Sequence, residues 1–177
     1  FATYSDGTVF ERVRFTKNHQ ENLAFQQRKL SRMVKGSNKY SQHKREISLT
    51  HEKIRNQRND FLHKVTSSIV NNYDVICIED LDVSGMMKNH KRAKSVADVS
   101  FYEFKRQLEY KTMWYGKTLS KIDRWFPSSQ LCSGCGNKKE NLTLSDRTYQ
   151  CDKCGLIIDR DLNASINILT EGTSEIA

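Results

Sequence analysis

The 177-residue sequence is 37% hydrophobic and 28% charged and contains one proline, which fits a globular domain with one core and one small module and excludes a disordered chain. No apolar run reaches the roughly 18 residues that a membrane-spanning helix needs, and the N-terminal segment is too charged for a secretory signal, so we expect an intracellular protein with no membrane partner. The net charge of +8 lies entirely in residues 1–70, which carry 14 Lys or Arg against 6 Asp or Glu, while residues 71–177 carry 15 of each. Such an excess is typical of a nucleic-acid-binding surface, and a solvated helical face is the alternative.

The basic half of the sequence predicts a β-hairpin followed by two helices. The segment "FATYSDGTVFERVRF" alternates and turns at Asp6-Gly7, a dipeptide favoured in tight turns whose two central residues both need positive φ. Apolar residues then recur with helical spacing over residues 18–34 and 42–71, with "KGSNKYS" as a break between them. We therefore expect a helical hairpin with basic outer faces. The side chains on these faces that are candidates for nucleic-acid contact are Lys35, Lys39, Lys44, Arg45, Arg55 and Arg58.

A short apolar segment, "YDVICIEDL", predicts a strand that is buried on both faces of a sheet. It ends at Glu79, which is followed by Asp80 and Asp82. Because α/β sheets keep their binding sites where a strand meets the following loop, these carboxylates are candidates for a functional site. The alternative is that they face water or cap the next turn.

The residues after this strand predict a loop, a helix and a second strand. Residues 84–100 have the irregular polar pattern of a loop. Ser100 and Glu103 have the spacing of a capping box, which predicts a helix beginning at residue 101. The segment "SKIDRWF" then predicts another strand.

Four cysteines give the strongest local signal in the sequence. Cys132 and Cys135 are followed, after fifteen residues, by Cys151 and Cys154, the arrangement of a Cys₄ zinc site in which each pair presents two thiolates from one tight turn. Four cysteine ligands leave no open position for a substrate, so the zinc would be structural. A redox dithiol is the alternative for one pair. Arg147, between the pairs, is a further candidate for contact with a phosphate backbone.

The segment "IIDRDLNASINIL" predicts a final helix with two aspartates at its start. Asp159 precedes the helix and is the expected N-cap. Asp161 shares a helical face with Ala164 and Ile168, and we expect that face, and therefore Asp161, to point towards the sheet. Together with Glu79, Asp161 could hold magnesium, which prefers carboxylate oxygens. Two such ions would position a water and stabilise the leaving oxygen in phosphodiester hydrolysis.

Four motifs in the order "VICIEDLDVSGM", "FPSSQLCSGCG", "RTYQCDKCG" and "DRDLNASINIL" resemble those of the TnpB-type (OrfB) transposon proteins, RNA-guided DNA endonucleases related to the type V CRISPR effectors. "FATYSDG" and "LSRMVKGSNKY" extend the resemblance over essentially the whole chain. It implies an α/β fold, an RNase H-like (RuvC-like) nuclease domain with a helical-hairpin insertion and an inserted Cys₄ zinc ribbon. The implied boundaries are 1–126 for the nuclease core with a basic hairpin at about 18–71, 127–156 for the zinc ribbon, and 157–177 for the final catalytic helix and tail.

The resemblance also implies roles for individual residues. Glu79 matches the glutamate of the family's second acidic motif and Asp161 the aspartate of its third, so both would be catalytic ligands of magnesium. The four cysteines match the family's zinc ligands. Because proteins of this family cut target DNA with which a guide RNA has paired, DNA and guide RNA are the implied partners. The implied location is the prokaryotic cytoplasm, in association with the nucleoid.

One part of the family's pattern has no counterpart in this sequence. The family's first catalytic aspartate precedes the segment that matches "FATYSDG", and this sequence begins at Phe1. We therefore expect the first strand and the guide-binding N-terminal part to be missing, with Asp6 a poor substitute because it lies in a hairpin turn. The alternatives to a nuclease are a cleavage-incompetent DNA- or RNA-binding module of the same family and a structural zinc-ribbon protein.

Overall fold

Residues 1–11, 13–143, 145–174 and 176 are described in a computed structural model of the chain, without the side chains at positions 91 and 92. The end of the predicted final segment, at residues 175 and 177, therefore lies outside the described residues. No helix in the described part of the chain is long and apolar enough to cross a membrane. The elements are β1 (Ala2–Thr3), β2 (Val9–Phe10), α1 (Phe15–Ser31), α2 (Asn38–Asn72), β3 (Val75–Glu79), α3 (Val83–Lys88), α4 (His90–Val99), α5 (Phe101–Trp114), β4 (Thr118–Ile122), β5 (Thr148–Gln150), β6 (Ile157–Asp159) and α6 (Arg160–Ser174).

The predicted β-hairpin is present, but its turn differs from the expectation. Strands β1 and β2 pair in antiparallel fashion, and the Tyr4 N–H donates to the Thr8 carbonyl at 2.9 Å. Gly7 has a φ of 88°, whereas Asp6 does not, since Ser100 is the one non-glycine residue with positive φ among those described. The Asp6 carboxylate instead accepts the Thr8 N–H at 2.8 Å, so a longer loop replaces the predicted two-residue turn.

Helices α1 and α2 form the predicted antiparallel pair. His19 contacts Gln57 and His43 contacts the carbonyl of Gln26, so the partner positions run in opposite directions along the two helices. Leu23, Ile47 and Ile54 form the buried cluster between them. That this pair is an insertion into a nuclease domain stays a prediction.

The segment that was predicted to be a loop is helical instead. Asp82 caps α3 by accepting the Gly85 N–H at 3.0 Å. At the end of α4, the buried Asp98 carboxylate accepts a hydrogen bond from Arg58 of α2 at 2.8 Å and one from the Thr16 hydroxyl of α1 at 2.7 Å. These distant contacts, which the polar composition does not reveal, hold the end of α4 against α1 and α2.

The predicted capping box at the start of α5 is also wrong. Ser100 has a left-handed backbone with a φ of 56°, and its hydroxyl donates to the carbonyl of Ala97 at 3.0 Å. The Glu103 carboxylate accepts hydrogen bonds from Arg106 and Gln107. The left-handed residue turns the chain sharply from α4 into α5, and this geometry prevents the reciprocal cap.

Strands β3 and β4 form a parallel pair at the centre of the fold. Glu79 is in register with Ile122, so the carboxyl ends of both strands meet at one edge. The main buried cluster joins α2, β3 and α5. Helix α6 packs closely against the strands at Cys77, where a Cβ added to Gly172 would lie 2.6 Å from the Cys77 Sγ.

The prediction that β3 is buried on both faces is wrong. Ile76 is buried, but Val75 is 38% exposed and the remaining residues are half-buried. The reason is that β4 pairs with one edge of β3, and no other strand among the described residues pairs with the second edge. Side chains of β3 therefore stay partly accessible from that side.

The cysteine module, defined here as residues 131–159, is a separate small unit of β-structure. Strands β5 and β6 pair in antiparallel fashion, with Tyr149 opposite Ile158. Tyr149 is fully buried and packs with Cys132 and Cys151. Since β6 leads directly into α6, the module is joined rigidly to the helix that packs on the central sheet.

Candidate metal centre and acidic edge

The four cysteines of the module lie together. Their Sγ atoms are all within 4.8 Å of one another, with 3.5 Å between Cys132 and Cys154 and 3.6 Å between Cys135 and Cys151. These distances are far longer than the roughly 2.05 Å of a disulfide. They are close to the sulfur–sulfur separation of about 3.8 Å in a tetrahedron with zinc–sulfur bonds of about 2.3 Å. The four thiols could therefore hold a metal ion such as zinc.

Each cysteine pair is shaped by a turn that ends in a left-handed glycine. The Gly136 N–H donates to the Cys132 carbonyl, and the Gly155 N–H donates to the Cys151 carbonyl. Both glycines have a φ near +70°, a conformation that other residues rarely adopt. The backbone N–H of Cys154 points at the sulfur of Cys151 and lowers the pKa of that thiol to about 6. A thiolate, the form that binds metal, is thereby favoured at this position.

Two asparagines of α6 fasten the cysteine module to the rest of the fold. Asn163 donates to the Leu131 carbonyl at 2.6 Å and accepts the Ser133 N–H at 2.9 Å. Asn167 donates to the carbonyls of Ser128 and Leu131, both at 2.8 Å. Both asparagines are buried. The sequence prediction missed them, although two asparagines at i and i+4, which share one face of the helix, were a usable signal.

Glu79, at the end of β3, is held by the segment that precedes the cysteine module. The hydroxyl of Ser128 donates to its Oε1 at 2.5 Å, and Ser128 is buried. Since the Ser128 carbonyl accepts the hydrogen bond from Asn167, one chain of contacts links Glu79 to α6. The carboxylate is therefore fixed in position while remaining half-exposed.

Asp159 is the N-cap of α6, as predicted. Its Oδ1 accepts the backbone N–H groups of Asp161 at 2.9 Å and Leu162 at 3.0 Å. A carboxylate in this place satisfies N–H groups that have no partner within the helix and interacts favourably with the helix dipole.

The prediction that Asp161 points towards the sheet is wrong. Its side chain is 55% exposed and lies 3.5 Å from the Arg160 guanidinium. Ala164 and Ile168, the residues expected on its face, are half-buried, and the deeply buried position of this part of the helix is Asn163. The face that Asp161 shares with these residues is therefore partly covered further along the helix, and Asp161 itself is exposed at its start.

The direction of α6 nevertheless brings its first turn to the same side of the sheet as Glu79. Asn167 is linked to Glu79 by the contacts described above, and Gly172, further along the helix, lies against Cys77 in the middle of β3. Helix α6 therefore runs from the Glu79 edge back over the sheet. Asp161 precedes Asn167 by six residues, or about 9 Å along the helix axis.

The other two acids of this edge have structural partners. Asp80 accepts hydrogen bonds from Lys105 at 2.7 Å and Arg124 at 2.6 Å. The hydrogen bonds from these two cations, with Lys105 first, hold the pKa of Asp80 below its usual value. Asp82 caps α3. The alternative that an acid of this group caps the next turn is therefore confirmed for Asp82, whereas Asp80 is held in two ion pairs that neither alternative anticipated.

A cavity of about 460 Å³ opens at the acidic edge, which we define as residues 79–82 and 122–125. Glu79, Tyr102, Lys105 and Arg124 are among the residues that line it, and Asp161 is not. Within the described ranges, the four cysteines form the only cluster of three or more His, Cys, Asp or Glu side chains with metal-ligand spacing.

The expected basic surface is exposed with one exception. Arg58 is 20% exposed, and its guanidinium pairs with Asp98 and contacts Thr16. The prediction that Arg58 contacts nucleic acid from an outer face is therefore wrong, because its charge holds three helices together. The exposed members of the predicted set are Lys35, Lys39, Lys44, Arg45, Arg55 and Arg147.

A family model described as a probable transposase of the OrfB type matches residues 1–90, just over half of the chain. The chain belongs to this TnpB-type transposase family. A second model, described as the Cas12f1-like TNB domain, matches residues 101–168 of this TnpB-type chain. That range contains α5, β4, the cysteine module and the first half of α6.

Curated proteins similar to the TnpB-type chain include a Streptomyces pristinaespiralis protein named "Putative RNA-guided DNA endonuclease", 40% identical over 175 residues. The match covers 99% of this chain and 43% of that protein. The InsQ protein of Escherichia coli K12 carries the same designation and is 40% identical over 191 residues, covering 99% of this chain and 47% of InsQ. The TnpB-type chain thus spans less than half the length of these relatives.

Solved structures show a related fold. A Cas12f1 in complex with sgRNA and target DNA has a TM-score of 0.61 and 19% identity, covering 91% of this chain and 44% of that one. A second Cas12f, in a ternary complex, has a TM-score of 0.62 and 19% identity, covering 86% of this chain and 32% of that one. At this identity the likeness shows a shared mixed helix and sheet fold.

Proposed function

We propose that the chain is the nuclease portion of a transposon-associated, RNA-guided DNA endonuclease that hydrolyses phosphodiester bonds of target DNA. In this proposal residues 1–126 and 157–177 form a RuvC-like core of the RNase H-like type, α1 and α2 are its helical insertion, and residues 127–156 are a zinc ribbon. Glu79 and Asp161 are the catalytic carboxylates. The family membership and the names of the relatives motivate the proposal.

The observation that carries the proposal is the contact chain from Glu79 through Ser128 to Asn167. It joins the end of a parallel strand to the helix that begins with Asp161. A carboxylate at the carboxyl end of a parallel strand lies where α/β sheets bind ligands. The direction of α6 puts a second carboxylate on the same side.

Magnesium suits these two residues because it is a hard cation that binds carboxylate oxygens and keeps several waters. Glu79 and Asp161 would hold it, and the ion would activate a water and stabilise the leaving oxygen of the phosphodiester. Ser128 fixes the direction of the Glu79 carboxylate. The cysteines would hold zinc in a closed site, which stabilises the module and takes no part in hydrolysis.

The proposed partners are DNA and a guide RNA. Neutralisation of phosphates by clustered Lys and Arg supplies most sequence-independent affinity for nucleic acids. Five of the six predicted cations on the helical hairpin are exposed for such contacts. We place the protein in the prokaryotic cytoplasm, in association with the nucleoid.

A second candidate function is nucleic-acid binding without cleavage. It is favoured because the residues that the structure describes bring no third carboxylate into a metal-ligand cluster with Glu79, and because Asp161 does not line the cavity. Two carboxylates give a divalent cation few protein ligands.

Magnesium-dependent nicking of DNA separates the two functions. Nicking that Glu79→Gln abolishes and that Glu52→Gln, a matched change at an exposed position of α2, leaves intact supports the nuclease. Nicking that persists in the Glu79→Gln variant contradicts the proposal. Salt-sensitive DNA binding with no nicking, unchanged by Glu79→Gln, supports the binding module instead.

A further inference from the structure

The two tryptophans of the chain, Trp114 and Trp125, are both exposed but lie in different surroundings. Trp125 is 84% exposed and lines a second cavity, which lies beside the one at Glu79 and is otherwise formed by Asp80, Lys121, Ile122, Asp123 and Arg124. Four of these five neighbours are charged. An apolar protein partner favours an interface core with few charges, so this setting does not suit one.

Trp114 lies in an apolar setting at the end of α5. It is 71% exposed and packs edge-on against Tyr110, with ring centroids 4.7 Å apart. Met113 is 72% exposed and Tyr115 is 58% exposed beside it. The two tryptophans are therefore similarly exposed but differ in their neighbours, which are charged around Trp125 and apolar around Trp114. Trp114 can serve as a control for Trp125.

The backbone that carries Trp125 is fixed to the acidic edge. The Trp125 N–H donates to the Asp123 carboxylate at 2.6 Å. The adjacent Arg124 donates through Nη2 to the Asp80 carboxylate and through Nε to the Asp80 carbonyl. Since Asp80 follows Glu79 directly, the ring of Trp125 is presented from a rigid segment next to the proposed catalytic carboxylate. Its large exposed area is therefore not a result of a loosely held loop.

We propose that Trp125 is a stacking platform for an unpaired base of single-stranded DNA that enters the cavity at Glu79. Aromatic rings beside cations are the general means by which proteins hold unpaired bases together with their phosphates. Arg124 and Lys105, both oriented by Asp80, provide the cations, and both line the cavity with Glu79. Trp125 does not line that cavity, but Asp80 and Arg124 line both it and the neighbouring cavity that carries the ring. The inference rests on the proposed function, because it specifies that the DNA bound at the acidic edge is single-stranded.

The test measures binding of oligothymidylate, oligouridylate and an abasic oligonucleotide by the chain and three variants. Trp125→Ala removes the ring, Trp125→Phe keeps an aromatic face, and Trp114→Ala removes the other exposed tryptophan. We expect Trp125→Ala to weaken oligothymidylate binding by about fivefold or more. Trp125→Phe should retain most of the affinity, and Trp114→Ala all of it. Binding of the abasic strand should be the same for every variant.

A fluorescence measurement gives a second readout. In the Trp114→Phe variant, Trp125 is the sole tryptophan, and we expect oligothymidylate, but not the abasic strand, to quench its emission. Several results would each overturn the inference. In the fluorescence measurement, that result is an absence of quenching. In the binding measurements, it is an equal loss of affinity in Trp114→Ala, an equal loss of affinity for the abasic strand, tighter binding of oligouridylate than of oligothymidylate, or no single-strand binding by the unchanged chain. Failure of the proposed function looks different. Nicking would then be absent or insensitive to Glu79→Gln, while the Trp125 effects on binding persist.

Discussion

The cysteine module and the acidic edge bring their functional side chains together in different ways. In the module, the first and last ligands, Cys132 and Cys154, are 22 positions apart, and each pair is set by a single tight turn. At the acidic edge, the two proposed carboxylates, Glu79 and Asp161, are 82 positions apart and belong to a strand and a helix. Local turns are enough to gather the four sulfurs. The carboxylates depend on how α6 packs on β3.

The two regions also differ in what stabilises them. A module of this size has a minimal core, centred on Tyr149, and would draw most of its stability from a bound metal. The acidic edge is held by ordinary packing and by hydrogen bonds from Ser128 and Asn167. Each region should therefore respond to a different kind of change.

The largest expected effect is on the module. Cys132→Ser should abolish the bound metal and unfold residues 131–159, since structural zinc sites contribute on the order of 10 kcal/mol of binding free energy. Metal content per chain and hydrogen exchange at Tyr149 are the measurements. Cys77→Ser, a change of the fifth cysteine outside the module, is the control and should keep the metal. A Cys132→Ser variant with a full complement of metal would contradict the role of the four sulfurs.

The contrast between local and distant contacts also explains what the sequence could reveal. The cysteine site was predictable because spacing and the following Gly136 and Gly155 encode each turn directly. Asp159 was predictable as a cap for the same reason. The docking of α4 and the buried role of Arg58 were not, because both depend on Asp98 meeting residues of α1 and α2 that are 40 to 82 positions away. Asp161 is exposed although Ala164 and Ile168 on the same helical face are half-buried, and periodicity alone does not encode how deeply each position is buried.

The next effect tests a distant polar contact in the helical part. Arg58→Met should leave the Asp98 carboxylate buried without its cationic partner and cost about 3–5 kcal/mol of the free energy of unfolding, measured by chemical denaturation. Metal content of the module should not change. Lys64→Met, which removes a cation from the exposed pair with Asp60 on the same helix, is the matched control and should cost less than about 1 kcal/mol. Equal losses in the two variants would contradict the role assigned to Asp98.

The same pair predicts a pH dependence. Burial alone would raise the pKa of Asp98, but hydrogen bonds from Thr16 and Arg58 outweigh it and hold the pKa below its ordinary value. A lowered pKa means that the stabilisation is complete above the unfolded value of about 3.9 and is lost as the pH falls through the folded value. Denaturation curves over this acid range should show a stability loss that is smaller in Asp98→Asn. If stability falls with pH equally in the unchanged protein and in Asp98→Asn, the pKa of Asp98 is not the cause.

A smaller effect is expected at the contact between α6 and the central strands. Gly172→Ala would put a Cβ 2.6 Å from the Sγ and 2.8 Å from the Cβ of Cys77, so the helix or Cys77 must shift, at a cost of about 1–3 kcal/mol. Thr173→Ala, at the exposed neighbouring position, should cost less. Cys77→Ala should partly rescue the first variant by removing the sulfur. Because the module is folded by its own turns and metal, its metal content should be the same in all of these proteins.

The smallest effect on stability separates the two aspartates at the start of α6. Asp159→Ala removes the acceptor of the Asp161 and Leu162 N–H groups and should cost about 1 kcal/mol of the free energy of unfolding. Asp161→Ala removes an exposed side chain whose nearest cation is 3.5 Å away, so it should change stability by less than about 0.5 kcal/mol. If Asp161 is a magnesium ligand, the same substitution abolishes nicking, and Asp159→Ala reduces nicking only as far as it loosens the first turn. Thermal denaturation and nicking assays on both variants therefore give opposite rankings. If Asp159→Ala has the larger effect in both measurements, Asp161 is not a magnesium ligand and contributes only to the helix.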